Sequence, residues 1–283
     1  MSTKMRNLVK FSKVPIYLEV FSDDVIIFEK MSDPDRTKVV HLFLKPNSTE
    51  MSTNIPFEPS VRRKSMFQCE KNLDGYRRIM DDFVDIFVVT PVDFDMRSVP
   101  SDICIQYLEY AMSLGLKFKK VQVVISRGNV DCSRKVLAAC AQATQLHIQL
   151  DRYSKDFFLL DKFRDYKMDV FELTINPNFE WFTLDHLLAL TNCSNVRIHT
   201  VILSDADLNT FLKYWMSTIG AMETLHVELH DRGLIDGEAV MDGIPRKEIE
   251  RNEKFEVERA DGVKATICCD NLKFSIDLEK HSD

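Results

Sequence analysis

Glycine is scarce in this sequence, with eight residues among 283, and the Gly-x-Gly-x-x-Gly, Walker and Gly-x-Ser-x-Gly patterns are missing. Phosphate-cradling loops need glycine to bring backbone amides against a ligand, so nucleotide-dependent chemistry has no local signature. Long apolar runs are missing too. No stretch reaches the length of a membrane helix, and residues 1–30 hold no apolar run of signal-peptide length. The chain is therefore expected to be intracellular, cytoplasmic or nuclear, with no membrane partner. Positive charge is short, 37 Lys and Arg against 44 Asp and Glu for a net charge of −7. Sequence-independent nucleic-acid binding needs basic surface to displace counterions, so no nucleic-acid partner is expected. Seven cysteines, an odd number at irregular spacing, read as reduced thiols rather than a disulfide framework.

What the sequence does contain is a period. Five alternating segments, Val121–Ile125, Leu146–Leu150, Phe171–Ile175, Val196–Thr200 and Leu225–Leu229, begin at intervals of 25, 25, 25 and 29 residues. Apolar residues at helical spacing fill the gaps and predict helices over about 133–143, 156–166, 183–191 and 205–218. The last is the clearest: Leu208, Phe211, Leu212, Trp215 and Ile219 share a face, and Ser204–Asp207 fits a capping box. Strand–helix units of this length stack into solenoids. The predicted fold class is α/β: a leucine-rich-repeat-like strand–helix solenoid with a one-sided, mostly parallel sheet, plus antiparallel β segments at the N- and C-termini.

Alternation within the strands also decides how the sheet is covered. Helices on both faces would leave continuous apolar runs, whereas four of the five strands interleave polar residues. One face is expected to be open, made of Gln122, His147, Gln149, Glu172, Thr174, Arg197, His199, His226 and Glu228. Hydrogen-bonding groups of both signs on a sheet suit recognition of a protein; the plainer alternative is a solvated face.

Outside the period, Pro15–Phe21 and Val25–Phe28 predict a hairpin and Val39–Leu44 a third strand. Residues 45–70, with Pro46, Pro56 and Pro59, read as a mobile linker. Tyr76–Asp82 resumes order, Val84–Val89 reads as a strand, and Pro100-Ser101 opens a helix with Ile103, Tyr107, Ala111 and Leu114 on one face. Phe255–Val257, Ala265–Cys269 and Phe274–Leu278 predict an antiparallel meander that either caps the repeats or forms a separate small sheet. The expected organisation is 1–44, an N-terminal helix remnant and β-hairpin region; 45–70, the linker; 71–230, the repeats; and 231–283, a C-terminal helix and meander.

Candidate chemistry is sparse. His226, Glu228 and His230 alternate along one segment and could present imidazole and carboxylate to a metal, the basis of an alternative reading as a metal-dependent hydrolase. Same-face neighbours on one strand sit about 6–7 Å apart, and no fourth ligand is evident. Cys132 and Cys140 match no zinc spacing, and Cys140 fits a buried helix stripe. Consecutive Cys268 and Cys269 face opposite ways on a strand. No catalytic residue, cofactor or metal is assigned.

Residues Phe179–Leu188, Asn192-Cys193, Leu203–Trp215 and Met222–Val227, with Met241–Ile244 and Phe255–Ile267 further on, resemble the nematode F-box-associated type 2 domain, most strongly over 180–230. Most of those positions are scaffold: Trp181, Leu184, Leu187 and Leu188 for one repeat helix, and the Leu208–Trp215 stripe for the next. The resemblance implies a non-enzymatic protein-interaction scaffold, the substrate-recognition region of a Skp–cullin–F-box ubiquitin ligase. Its implied partners are a protein target and a Skp-type adaptor. Ser2–Lys10 reads as the tail of the last F-box helix, so a truncated F-box is expected. A paralogue uncoupled from any ligase is the remaining alternative.

Overall fold

Strands form where apolar and polar residues alternate, and helices where the apolar spacing lengthens to three and four. The computed structural model describes residues 15–279, apart from 22–24, 31–37, 46–64, 71–73, 75, 78–79, 82–83, 85–87, 98, 127–129, 152–163, 165, 176–181 and 231–233. The chain divides into two compact units, Met1–Val124 with Gly128–Ala143, and Ile125–Arg127 with Thr144–Asp283. Each is mixed α/β. The expected F-box tail at 2–10, most of the expected 156–166 helix and Trp181 lie outside the described residues, as do 46–64 of the stretch read as a linker.

The first unit contains β1 (Pro15–Phe21), β2 (Val25–Lys30), β3 (Lys38–Lys45), β4 (Ser65–Glu70), β5 (Val88–Met96), α1 (Ser101–Ser113), β6 (Phe118–Ser126, all but its last two residues) and α2 (Val130–Cys140). Its strands run in the order β6-β5-β1-β2-β3-β4. The β1–β2–β3 pairings are antiparallel, the hairpin and third strand expected from sequence, and β4 lies parallel to β3. Ser65–Glu70, at the end of the expected linker, forms this strand instead.

The strand expected at Val84–Val89 lies at Val88–Met96, and Val84 is helical. Pro91 hides this strand, because proline cannot donate to a ladder and normally marks an edge. The chain accommodates it at a bulge: the β1–β5 register shifts between Ile16 and Leu18, opposite Thr90 and Pro91. Beyond it Val92, Phe94 and Met96 are buried in strict alternation. On α1 the inward stripe is Cys104, Tyr107, Leu108 and Ala111, whereas Ile103 is 39% exposed. Tyr76 is buried against that stripe, its ring 4.4 Å from Tyr107 and its hydroxyl donating to the Tyr107 carbonyl. Cys140 is fully buried, as expected, and burial raises its thiol well above its ordinary range.

The second unit carries the repeats: β7 (Gln145–Asp151), β8 (Val170–Ile175), α3 (Leu184–Ala189), β9 (Asn195–Val201), α4 (Asp205–Ser217) and β10 (Thr224–Leu229). The four strands are parallel neighbours in sequence order, and the 25-residue period is the register itself. Leu146 pairs with Phe171, Phe171 with Val196, and Val196 with Leu225. The capping box is present on α4: Ser204 Oγ accepts from the Asp207 amide at 3.0 Å, and Asp207 accepts from the Ser204 amide at 2.7 Å. Leu208, Phe211, Leu212 and Trp215 are all at most 1% exposed, each such side chain contributing ~1.5–3 kcal/mol of burial. Ile219 does not join them. The helix ends at Ser217, and Ile219, two residues past it, is 75% exposed.

Beyond β10 come α5 (Gly237–Val240), β11 (Lys247–Glu250), β12 (Lys254–Glu258), β13 (Lys264–Asp270) and β14 (Lys273–Leu278). The meander is antiparallel, and β14 pairs antiparallel with β10, so it extends the repeat sheet of this unit rather than standing apart. The charged stretch after Arg246 supplies the strand β11. No helix among the described residues is long and apolar enough to cross a membrane.

Candidate functional face

On β7–β10 every second residue is buried, and the residues between are half-buried to exposed. Phe171, Leu173, Ile175, Val196, Ile198, Leu225 and Val227 have no more than 2% of their surface exposed. They share the core with the inward stripe of α4. On the alternate face Gln149, Arg197, His226 and Glu228 are exposed, and His147, Glu172, Thr174 and His199 are half-buried.

In-register pairing turns the predicted residues into rows across the strands. His147 lies opposite Glu172, Glu172 opposite Arg197, and Arg197 opposite His226. In the next row Gln149 lies opposite Thr174, Thr174 opposite His199, and His199 opposite Glu228. Eight of the nine predicted residues are thereby brought together. Gln122 belongs to the first unit, half-buried on β6 between Val121 and Val123.

Histidine–carboxylate pairs cross the strands at three places. His147 Nδ1 is 3.0 Å from Glu172 Oε2, His199 Nδ1 is 3.1 Å from Glu228 Oε2, and His226 Nε2 is 3.5 Å from Asp277 Oδ1. Cross-strand side-chain pairs of this kind are the sheet's analogue of the i, i+4 pairs of a helix. Arg197 is exposed between the first and third of these pairs. At the N-terminal end of the rows, Thr224 donates to Asn195 Oδ1, and the Asn195 amide donates to the Asp169 carbonyl.

The histidine-rich strand does not converge on one point. Glu228 turns to His199, His226 turns to Asp277, and His230 lies beyond the end of β10, where its amide donates to the Val201 carbonyl. Among the described residues no three His, Cys, Asp or Glu side chains gather as a metal-binding group.

The face also reaches further than the sequence reading placed it. Glu228 lies opposite Lys273, His226 opposite Ser275 and Thr224 opposite Asp277. Ser275 in turn lies opposite Cys268, and Cys268 opposite Lys254. Cys268 is half-buried while Cys269 is buried, the opposite-facing pair expected. Lys264 binds Glu256 at 3.0 Å and, with Lys247, holds that carboxyl below its usual range. Alternation alone marked these strands but not their neighbours. The β10–β14 partnership joins segments about 45 residues apart and has no local signal.

Two features mark the rim and the helical side. Thr200 has φ +67° in β9, where the β9–β10 register shifts past Glu228. A β-branched residue in the left-handed region is strained, and here it forms a bulge at the C-terminal end of the strand. His186 is buried on α3, with Nδ1 accepting from the Thr183 amide at 3.2 Å in a capping box. Burial lowers its pKa from 6.5 to about 4, so the imidazole is neutral. Phe182 stacks on it at 5.4 Å.

Comparison with known proteins adds two findings. Residues 163–223 match the family described as F-box associated. A Caenorhabditis elegans protein, the Skn-1 dependent zygotic transcript 15 protein, is 23% identical over 233 residues, covering 78% of this chain and 66% of that protein. The chain thus spans just under two thirds of that relative's length. The matched segment contains β8, α3, β9 and α4, the elements that carry the register, both capping boxes and half of the open face. Residues 163–223 thus resemble an F-box associated domain, and the chain shows distant homology to the nematode protein.

Proposed function

We propose that the chain is a non-enzymatic protein-interaction scaffold, acting inside the cell, whose open sheet face in the second unit binds a protein target. The carrying observation is that face: rows of His, Glu, Arg, Thr and Gln in fixed register, half-buried to exposed, over a fully packed core. Rigid presentation of mixed donors and acceptors lowers the ordering cost of recognition. Sequential parallel strands at 25-residue spacing support a leucine-rich-repeat-like arrangement of this unit. The F-box associated match supports a role as the substrate-recognition region of a Skp–cullin–F-box ubiquitin ligase, with a Skp-type adaptor as second partner.

The test is affinity capture followed by direct binding with the recovered, purified partner. Wild type is compared with a triple variant, Arg197→Glu, His199→Ala and Glu228→Lys. Binding weakened at least tenfold with an unchanged melting temperature is expected; equal binding by the triple variant overturns the reading. Adaptor binding is measured separately with purified Skp-type protein, and its absence would remove the ligase assignment without touching the face.

A further inference from the structure

Two rows of the open face repeat one arrangement: a histidine, a glutamate and a basic residue on three successive strands. His147, Glu172 and Arg197 stand side by side on β7, β8 and β9, and His199, Glu228 and Lys273 do so on β9, β10 and β14. In each row the glutamate lies between the other two and turns to the histidine, 3.0 Å from His147 and 3.1 Å from His199. Arg197 and Lys273 are exposed, and among the described residues neither has an ion pair. Their other register neighbours are engaged as well. His226, beside Arg197, faces Asp277, and Asp270, beside Lys273, accepts from the Asn271 side-chain amide. Each carboxylate around the two cations thus has a partner already, while the two permanent positive charges face solvent.

Spacing narrows the anion that such a pair fits. Arg197 and Lys273 are two strands apart across the sheet and one same-face step apart along it. That places their backbone positions about 12 Å from each other, at ~4.8 Å per strand and ~6.7 Å per two residues. A single phosphate is held by cations that converge on it, and these two would have to lie flat on the sheet to meet. A polyanion such as nucleic acid would also meet the carboxylates interleaved with them. Two separate carboxylates fit the pair as it stands. On an extended segment, side chains four residues apart share a side and lie about 13 Å from each other.

We propose that Arg197 and Lys273 take two carboxylates, four residues apart, from an extended acidic segment of the target protein. The inference rests on the reading of this face as a target-binding surface and names what that surface selects. The histidine–glutamate pairs serve it by holding Glu172 and Glu228 away from the cations, so an incoming carboxylate has no internal one to displace. Arg197 offers its carboxylate a bidentate contact and Lys273 a point charge.

A displayed library of random short peptides, selected on the immobilised full chain and followed by fluorescence anisotropy of the enriched sequences, reads the preference. Peptides with Asp or Glu four residues apart should be enriched, and their binding should weaken with added salt. Arg197→Gln and Lys273→Gln should each weaken them roughly tenfold with an unchanged melting temperature, since both side chains are exposed. Selection on Arg197→Glu with Lys273→Glu should enrich lysine and arginine in place of the acids. Peptides lost on the triple variant of the face, but without acidic preference or indifferent to both glutamine variants, overturn the inference and leave the face reading standing. Peptides indifferent to the triple variant, or a library that yields none, overturn both. A phosphoserine peptide that binds more than about tenfold tighter than its glutamate counterpart assigns the pair to phosphate and overturns the carboxylate preference.

Discussion

Substituting Gly237 by alanine perturbs one atom, and the structure says where that atom would go. A Cβ built there lies 2.0 Å from the Asn252 carbonyl oxygen, 2.9 Å from its carbon and 3.3 Å from Phe255 Cε2. Ordinary contact needs about 3.4 Å, so backbone must move by more than about 1 Å. Neither side yields cheaply. Gly237 opens α5 directly behind Asp236, whose carboxylate accepts from the Glu238 and Ala239 amides. Asn252 sits in the tight β11–β12 turn with φ +58° and its amide on Glu248. Overpacking against flexible side chains costs about 1–3 kcal/mol; a clash between two pieces of fixed backbone belongs at or above the top of that range. Gly237→Ala should therefore lose about 3 kcal/mol or more in urea-induced unfolding. Hydrogen exchange should quicken in 236–256. A midpoint within experimental error of wild type would show instead that α5 and the turn separate freely.

The same logic predicts two further results. His186 should make stability fall with acid: its pKa of about 4 when folded lies below 6.5, so between those values the unfolded chain takes up a proton the folded chain refuses. Its contribution is whole above pH 6.5 and falls by up to ~1.4 kcal/mol per pH unit toward pH 4; His186→Gln should flatten the dependence of the urea midpoint on pH in that window, and parallel curves would refute it. Ser204→Ala should cost about 1 kcal/mol by leaving the Asp207 amide without its cap on α4, and an unchanged midpoint would show that water replaces the hydroxyl at no loss.

Legibility from sequence tracked the range of the forces involved. The repeat strands and α4 were readable because alternation, helical spacing and a capping box are local patterns, each tied to what a neighbouring residue buries. Val88–Met96 was misplaced because the proline rule is also local, whereas the bulge that absorbs Pro91 belongs to the pairing with β1. Ile219 was assigned to the α4 stripe because the spacing continues; the helix does not. Arg259 could not have been foreseen. Its guanidinium is buried 5.4 Å from the Trp215 ring and clamps Asp261 at 2.6 and 2.9 Å, fixing the β12–β13 turn against a helix 44 residues earlier in the chain. The eight face residues on β7–β10 were legible because a period-two pattern assigns faces directly. Their neighbours on β12–β14 were not, since antiparallel partners far apart in sequence leave no periodic trace.

The distribution of energy between the two sides of the second unit's sheet fits the recognition role proposed for its polar face. The stabilising burial lies on the other side, in side chains such as Phe171, Ile198, Phe211, Trp215 and Phe274, all at most 1% exposed. The His199–Glu228 and His226–Asp277 pairs have side chains 38–49% exposed, and exposed pairs of this kind contribute only ~0–1 kcal/mol each. Opening one to accept a group from a partner therefore costs little, while the strand register holds the replacement donors and acceptors in place. A catalytic constellation would show the opposite balance: polar groups buried, converged on one point and strained toward it. Here the histidines are spread over three strands, each tied to its own carboxylate. Among the described residues the one buried histidine, His186, serves the cap of α3 instead of the face. Such a face can vary its residues without endangering the fold, which is the property a scaffold needs if the same framework is to present different surfaces to different targets.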